Sequence, residues 1–156
     1  MNLSQKLWEN NFYLAEKSLQ TKFVQNLKNG KLPKEKFQIY VAQDAFFLEC
    51  FARAYGLAIS KAKDKKTIKH LSELLLGVSE ELILHDSYAK KWGINLDLNK
   101  IELSTKNYTD FLNDVSQKNN LVEIMCAMAP CMRLYAWIGK SIENEYKNNP
   151  YKEWIV

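Results

Sequence analysis

Proline and glycine are scarce in this chain, three and five among 156 residues. So few turn formers leave little material for an all-β fold, which needs a tight turn every few residues. Arginine is scarcer still: 20 of the 22 basic side chains are lysine, and set against 18 acidic ones they leave a dispersed surplus of +4. That is a poor electrostatic footprint for nucleic acid, and no nucleic-acid partner is expected. The three cysteines, Cys50, Cys126 and Cys131, form no Cys-x-x-Cys pair, and an odd count leaves one outside any disulfide. The opening residues MNLSQKLWENN carry Glu9 and do not read as a secretory leader, so a reducing cytoplasm is the expected location. No uninterrupted apolar run approaches the roughly 18 residues of a membrane span, and no membrane association is expected. There is no glycine-rich phosphate loop and no Gly-x-Ser-x-Gly elbow.

What is present is an ordinary globular composition, 47% hydrophobic and 26% charged. The length fits one domain over 1–156, large enough for its own core and too short for a TIM barrel. Apolar residues recur at helical spacing almost throughout. The pattern predicts a helix over 4–19 capped by Ser4, and a short one around Phe23–Leu27 closed by Asn29-Gly30. Pro33 opens a long helix to about residue 61. Asp64 caps another that runs to Trp92 and stops at Gly93. A loop over 93–104 leads to a helix from Thr105 to about 117, broken at Asn119-Asn120. A last long helix spans Leu121 to about Tyr146, interrupted by Pro130, and Asn149-Pro150 begins one further turn. The expected architecture is an all-α bundle.

Four groups of residues could carry chemistry. In the helix 34–61, Asp44 shares a face with Tyr40, Val41, Phe47, Leu48 and Phe51. A carboxylate inside an aromatic stripe is costly without a partner. It could pair with Arg53 or Arg133, the two arginines, or it could anchor a flat hydrogen-bonding ligand between aromatic walls. The second group centres on Pro130, which removes a helical hydrogen bond and costs about 3 kcal/mol. Cys131 follows it and Tyr135 lies one turn on, so Cys131 reads either as a small buried hydrophobe or as a nucleophile. Third, Glu81 and His85 are helical neighbours suited to a hydrogen-bonded pair. A carboxylate-bridged metal site needs Glu-x-x-His in duplicate, so no metal is expected, and His85 as a lone haem ligand is the weaker alternative. Fourth, Tyr108 stands in the amphipathic first turn Asn107–Leu112, a position that suits core packing as well as ligand contact.

Together these segments resemble the thiaminase II (TenA) family. The resemblance rests on Phe-x-x-Tyr-x-x-Gln-Asp at 37–44 with aromatics at 46–47, Glu-x-x-x-His at 81–85, Tyr-Thr at 108–109, Pro-Cys-x-x-x-Tyr-x-x-x-Gly at 130–139 and Tyr-x-x-Trp-Ile at 151–155. It implies a heme-oxygenase-like helical bundle, a homotetramer, and no cofactor, metal or haem. It also implies an aminopyrimidine aminohydrolase of thiamin salvage, acting on aminopyrimidine breakdown products or thiamin to release hydroxymethylpyrimidine. By resemblance, Cys131 is the nucleophile, Asp44 the carboxylate that holds the ring edge, and Phe47, Tyr108 and Tyr135 line the pyrimidine pocket. Two positions depart from the common pattern: Phe47 stands where many members have Tyr, and Arg133 where an aromatic is common. The family's further tyrosine and its acid/base glutamate would lie beyond Val156, so the expected chain lacks the last helices of the fold. The alternative expectation is therefore a protein that binds aminopyrimidine or thiamin without turnover.

Overall fold

The structure, a computed structural model, describes residues 2–96, 100–143 and 148–155. Among them there are seven helices and no strand: α1 (Leu3–Leu19), α2 (Lys22–Lys28), α3 (Lys34–Lys61), α4 (Lys65–Trp92), α5 (Leu103–Lys118), α6 (Leu121–Ile142) and α7 (Lys152–Ile155). Contacts divide the chain into two compact units, Lys34–Pro130 and a second formed by Met1–Pro33 with Cys131–Val156.

In the unit Lys34–Pro130, α3 is the central element, and α4 and α5 pack against it. Phe37, Val41, Ala45, Leu48, Phe51, Tyr55 and Ala58 are all buried, at steps of three and four residues that keep one face of α3 toward its neighbours. Each fully buried aromatic here contributes on the order of 1.5–3 kcal/mol. The α3–α4 pair is an antiparallel hairpin turned at 62–64. Asp64 caps α4, its carboxylate accepting from the Thr67 amide at 2.9 Å, which holds the Asp64 pKa below its usual value. Gly93, at φ 63°, closes the same helix. Lys61, in the last turn of α3, donates to the Ser116, Gln117 and Asn119 carbonyls at the end of α5.

In the other unit, Trp8 and Phe12 of α1 meet Trp137 edge-on, with ring centroids 5.3–6.1 Å apart. Arg133 lies 4.7 Å over the Trp8 ring and donates to the Ser4 carbonyl and hydroxyl. Asn149 donates to the Leu27 and Lys28 carbonyls at the end of α2, and the buried Tyr151 hydroxyl donates to the Leu32 carbonyl.

Several boundaries differ from expectation. α1 starts earlier, at Leu3, and its cap is Asn2, whose side chain accepts from the Gln5 amide at 2.9 Å; Ser4 is inside the helix. α5 begins at Leu103, before Thr105, and has no side-chain cap. The expected break at Asn119-Asn120 is also a start signal. The Asn120 side chain accepts from the Val122 and Glu123 amides while Glu123 reaches back to the Asn120 amide. α6 passes through Pro130 as one helix and ends at Ile142; the expected helix beyond residue 143, to about 146, lies outside the described residues. The expectation about apolar runs also needs correcting. By length and composition α6 is long and apolar enough to cross a membrane, because its isolated charges break the run without making the helix polar as a whole. Little of it is buried.

Candidate functional site

Asp44 sits mid-way along α3, flanked by buried Gln43 and Ala45, with its own side chain 12% exposed. Its partner is His85 of α4, whose Nε2 lies 3.0 Å from Asp44 Oδ2. Neither arginine fills that role. Arg53 pairs with Glu49 on the exposed face of α3, and Arg133 is engaged with Ser4. The hairpin explains the choice: Asp44 stands 20 residues before Asp64 and His85 21 after it, so antiparallel packing brings them to one level.

His85 is 1% exposed, and both ring nitrogens are occupied. Nδ1 lies 2.9 Å from the Glu81 main-chain carbonyl. The expected pair between His85 and the Glu81 side chain is thus corrected: the ring contacts the helix backbone one turn back, leaving the Glu81 carboxylate outside the hydrogen bond. With both nitrogens used, the imidazole is not presented to a haem. Burial works against a charged His85, but the hydrogen bonds it makes to Asp44 and the Glu81 carbonyl, and then the two nearby carboxylates, outweigh it and raise its pKa above the ordinary histidine value. Glu81 still reaches solvent, yet partial desolvation and then the Asp44 charge raise its pKa above the usual carboxylate value, with His85 opposing.

One turn along α3, the Phe47 ring stacks on Tyr108 of α5, with centroids 5.4 Å apart and planes at 25°. Phe51 and Phe111 extend the array on either side. The Tyr108 hydroxyl donates to the Ala127 carbonyl at 3.2 Å, which fixes the ring's outer edge. Asp44, Phe47 and Tyr108 therefore belong to one unit, the first held by α4 and the other two by each other. Cys131 and Tyr135 belong to the second unit, one turn apart on α6, Cys131 half-buried and Tyr135 exposed. All three cysteines are thiols; Cys50 is half-buried, and that partial burial raises its pKa despite the Arg53 guanidinium beside it. A cleft of about 450 Å³ opens beside His85, walled by Phe46, Leu82, Leu96 and Ile101 and carrying the Glu49 and Asp86 carboxylates. Among the described residues no cluster of three or more His, Cys, Asp or Glu has the geometry to hold a metal ion.

Two structurally important residues were given no role at the level of sequence, although Gln43 stands in the motif at 37–44. Gln43 donates to the Lys100 carbonyl and accepts from the Glu102 amide, so it holds the segment entering α5. Lys61 ties the ends of α3 and α5. Gln43 beside Asp44 was legible as a pair of polar residues costly to bury; which group each would meet was not.

A model of the TENA/THI-4/PQQC family matches residues 14–156. The chain belongs to that family. As a TENA/THI-4/PQQC member it is 33% identical to an aminopyrimidine aminohydrolase of Halalkalibacterium halodurans, over 99% of this chain and 72% of that protein. It is 34% identical to the mitochondrial bifunctional TH2 protein of Arabidopsis thaliana, over 88% of this chain and 26% of that protein. The chain thus spans about a quarter of the plant relative and about three quarters of the bacterial one. Among solved structures, a TenA homologue from P. horikoshii superposes with a TM-score of 0.90 at 28% identity, covering 99% of this chain and 76% of that one. The fold is accordingly the all-helical, heme-oxygenase-like one that the sequence motifs imply.

Proposed function

We propose that this chain is an aminopyrimidine aminohydrolase of the thiaminase II type, binding a small aminopyrimidine and replacing the substituent on its exocyclic methylene with hydroxyl. The observation that carries the reading is a partly exposed carboxylate, Asp44, fixed by a buried histidine on a helix whose next turn offers a stacked aromatic pair. An aminopyrimidine is flat and polar along one edge, which suits aromatic faces together with a carboxylate. The relatives named as aminopyrimidine aminohydrolases support the same reading.

In this proposal Asp44 holds the amino and ring-nitrogen edge, while Phe47, Tyr108 and Tyr135 contact the ring. Cys131 supplies the nucleophile. Its thiolate adds to the ring and pushes electrons toward the exocyclic carbon, the carbon–nitrogen bond breaks, and water then supplies the hydroxyl as the thiol departs. With an aminomethyl substrate the balance is one water consumed and one ammonia released. A homo-oligomer, tetrameric by family likeness, and a cytoplasmic location complete the proposal, and sedimentation and fractionation read them.

The test is release of hydroxymethylpyrimidine from 4-amino-5-aminomethyl-2-methylpyrimidine by the purified protein. Cys131→Ser is expected to abolish release, and equal activity in that variant would remove Cys131 from the mechanism. Calorimetric binding without product would favour the alternative, a binding protein without turnover.

A further inference from the structure

The contacts of His85 constrain where protons sit. The Glu81 carbonyl can only accept, so His85 Nδ1 must carry a hydrogen and donate to it. If the ring were neutral, Nε2 would then present a lone pair 3.0 Å from Asp44 Oδ2. An ionised carboxylate there would oppose lone pair to lone pair across a contact too short for water to enter. The pair must therefore hold one proton between Nε2 and Oδ2, either as imidazolium and carboxylate or as neutral imidazole and carboxylic acid.

We propose that His85 keeps this proton at neutral pH, acting as a positioning residue that presents Asp44 as an oriented carboxylate selective for an aminopyrimidine protonated on its ring. The charged groups around the ring favour that distribution. Asp44 and Glu49 on α3, and Glu81 and Asp86 on α4, are all acidic; Asp44 is paired with His85 itself and Glu49 with Arg53. An ionised carboxylate has about four acceptor sites, so the bond to His85 leaves Asp44 able to accept from both a ring N–H and an exocyclic amino group. A carboxylic acid at the same place would spend its one hydrogen on His85 Nε2 and offer the ligand only a neutral carbonyl oxygen. The ionised distribution alone supplies the negative charge that a ring-protonated ligand requires. The ligand half of this inference rests on the aminopyrimidine reading above; the proton's location does not.

The chain has two histidines, which makes the measurement direct. In protein labelled with ¹⁵N-histidine, long-range proton–nitrogen spectra are followed from pH 5.5 to 9. The exposed His70 side chain, 71% accessible, serves as the internal reference. Both His85 nitrogens are expected to keep the protonated shift at and above pH 7. One deprotonated nitrogen on His85 at pH 7 would overturn the assignment. Calorimetry with 4-amino-5-hydroxymethyl-2-methylpyrimidine then reads selectivity. Affinity should fall about tenfold per pH unit above the ligand's own pKa, and a flat profile would overturn the selectivity. Absence of binding at every pH would sink the aminopyrimidine reading and its selectivity together, while the spectrum still decides where the proton sits.

Discussion

Replacing Lys61 by methionine removes one charge and keeps most of the aliphatic stem, so it isolates what the ammonium does. The Lys61 Nζ lies 2.7, 3.2 and 2.6 Å from the carbonyls of Ser116, Gln117 and Asn119. These are the last carbonyls of α5, which have no partner within the helix and sit at the negative end of its dipole. Their fates after the substitution differ. Gln117 is exposed and Asn119 half-exposed, so water can take over at both. Ser116 is only 2% exposed, and its carbonyl loses a charged donor with little access to a replacement. One unsatisfied buried carbonyl costs about 1–3 kcal/mol, and the lost charge–dipole attraction adds about 0.3–1 kcal/mol. The expected destabilisation is about 2 kcal/mol.

For a chain of this length that corresponds to a fall in Tm of roughly 4–8 °C. Circular dichroism melts at 222 nm measure it, and urea titration should show a lower midpoint with an unchanged slope. Because the carbonyls are dipoles gripped at contact distance, 0.5 M salt should leave most of the difference intact. A change in Tm below about 1 °C would refute the reasoning, since it would mean that water satisfies Ser116 as well as lysine does. The consequence reaches the site, because α3 carries Asp44 and Phe47 while α5 carries Tyr108.

Gln43→Leu should cost about 2 kcal/mol, by leaving the Lys100 carbonyl and Glu102 amide without their side-chain partner, and hydrogen exchange at Glu102 should accelerate well beyond the global change. Gly93→Ala should cost about 1 kcal/mol: nothing crowds the added methyl, but φ 63° is strained for any residue with a Cβ, and melting curves check it. His85 should make stability fall as pH rises. A histidine whose folded pKa is raised stabilises fully below its unfolded value of about 6.5 and loses that contribution as pH climbs through the folded value. Urea midpoints at pH 6 and pH 8.5 should therefore differ more in the wild type than in His85→Gln; equal pH dependence would refute the assignment.

Helix identity was legible because the period of apolar residues and the caps agreed, as at Asp64 and Gly93. Start sites were less so. Asn2, Ser4 and Thr105 are all plausible caps by residue type, and which one serves depends on where packing places the first turn. The partner of Asp44 was less legible for a related reason: its charge suits either arginine or a ligand, and residue type alone does not say which group stands opposite it. Counting residues outward from the Asp64 turn pairs Asp44 with His85, and Gln38 with Trp92, whose carbonyl accepts from Gln38 at 3.1 Å. That count needs only the sequence and the decision that two long helices are antiparallel neighbours. No comparable rule points to Lys61, because its acceptors are main-chain carbonyls with no side-chain identity of their own.

Gln43 and Asp44 show how two adjacent polar residues in one apolar stretch can be told apart. Both break the helical pattern of α3, and both are costly to bury without partners. The Gln43 amide donates once and accepts once, each time to a neighbouring main-chain segment. Those bonds serve the fold, and nothing in them depends on a charge. Asp44 is bonded through Oδ2 to a buried group that titrates, and its side chain retains access to the surface. A purely structural position gains nothing from a titratable partner, since an amide pair would satisfy the same geometry without tying stability to pH. The distinction is open to measurement: Gln43→Leu should change stability almost equally at pH 6 and pH 8.5, whereas Asp44→Asn should destabilise more at pH 6, where it removes the anion that a protonated His85 requires. Equal pH dependence in the two variants would place Asp44 with Gln43 among the residues that merely hold the helices together.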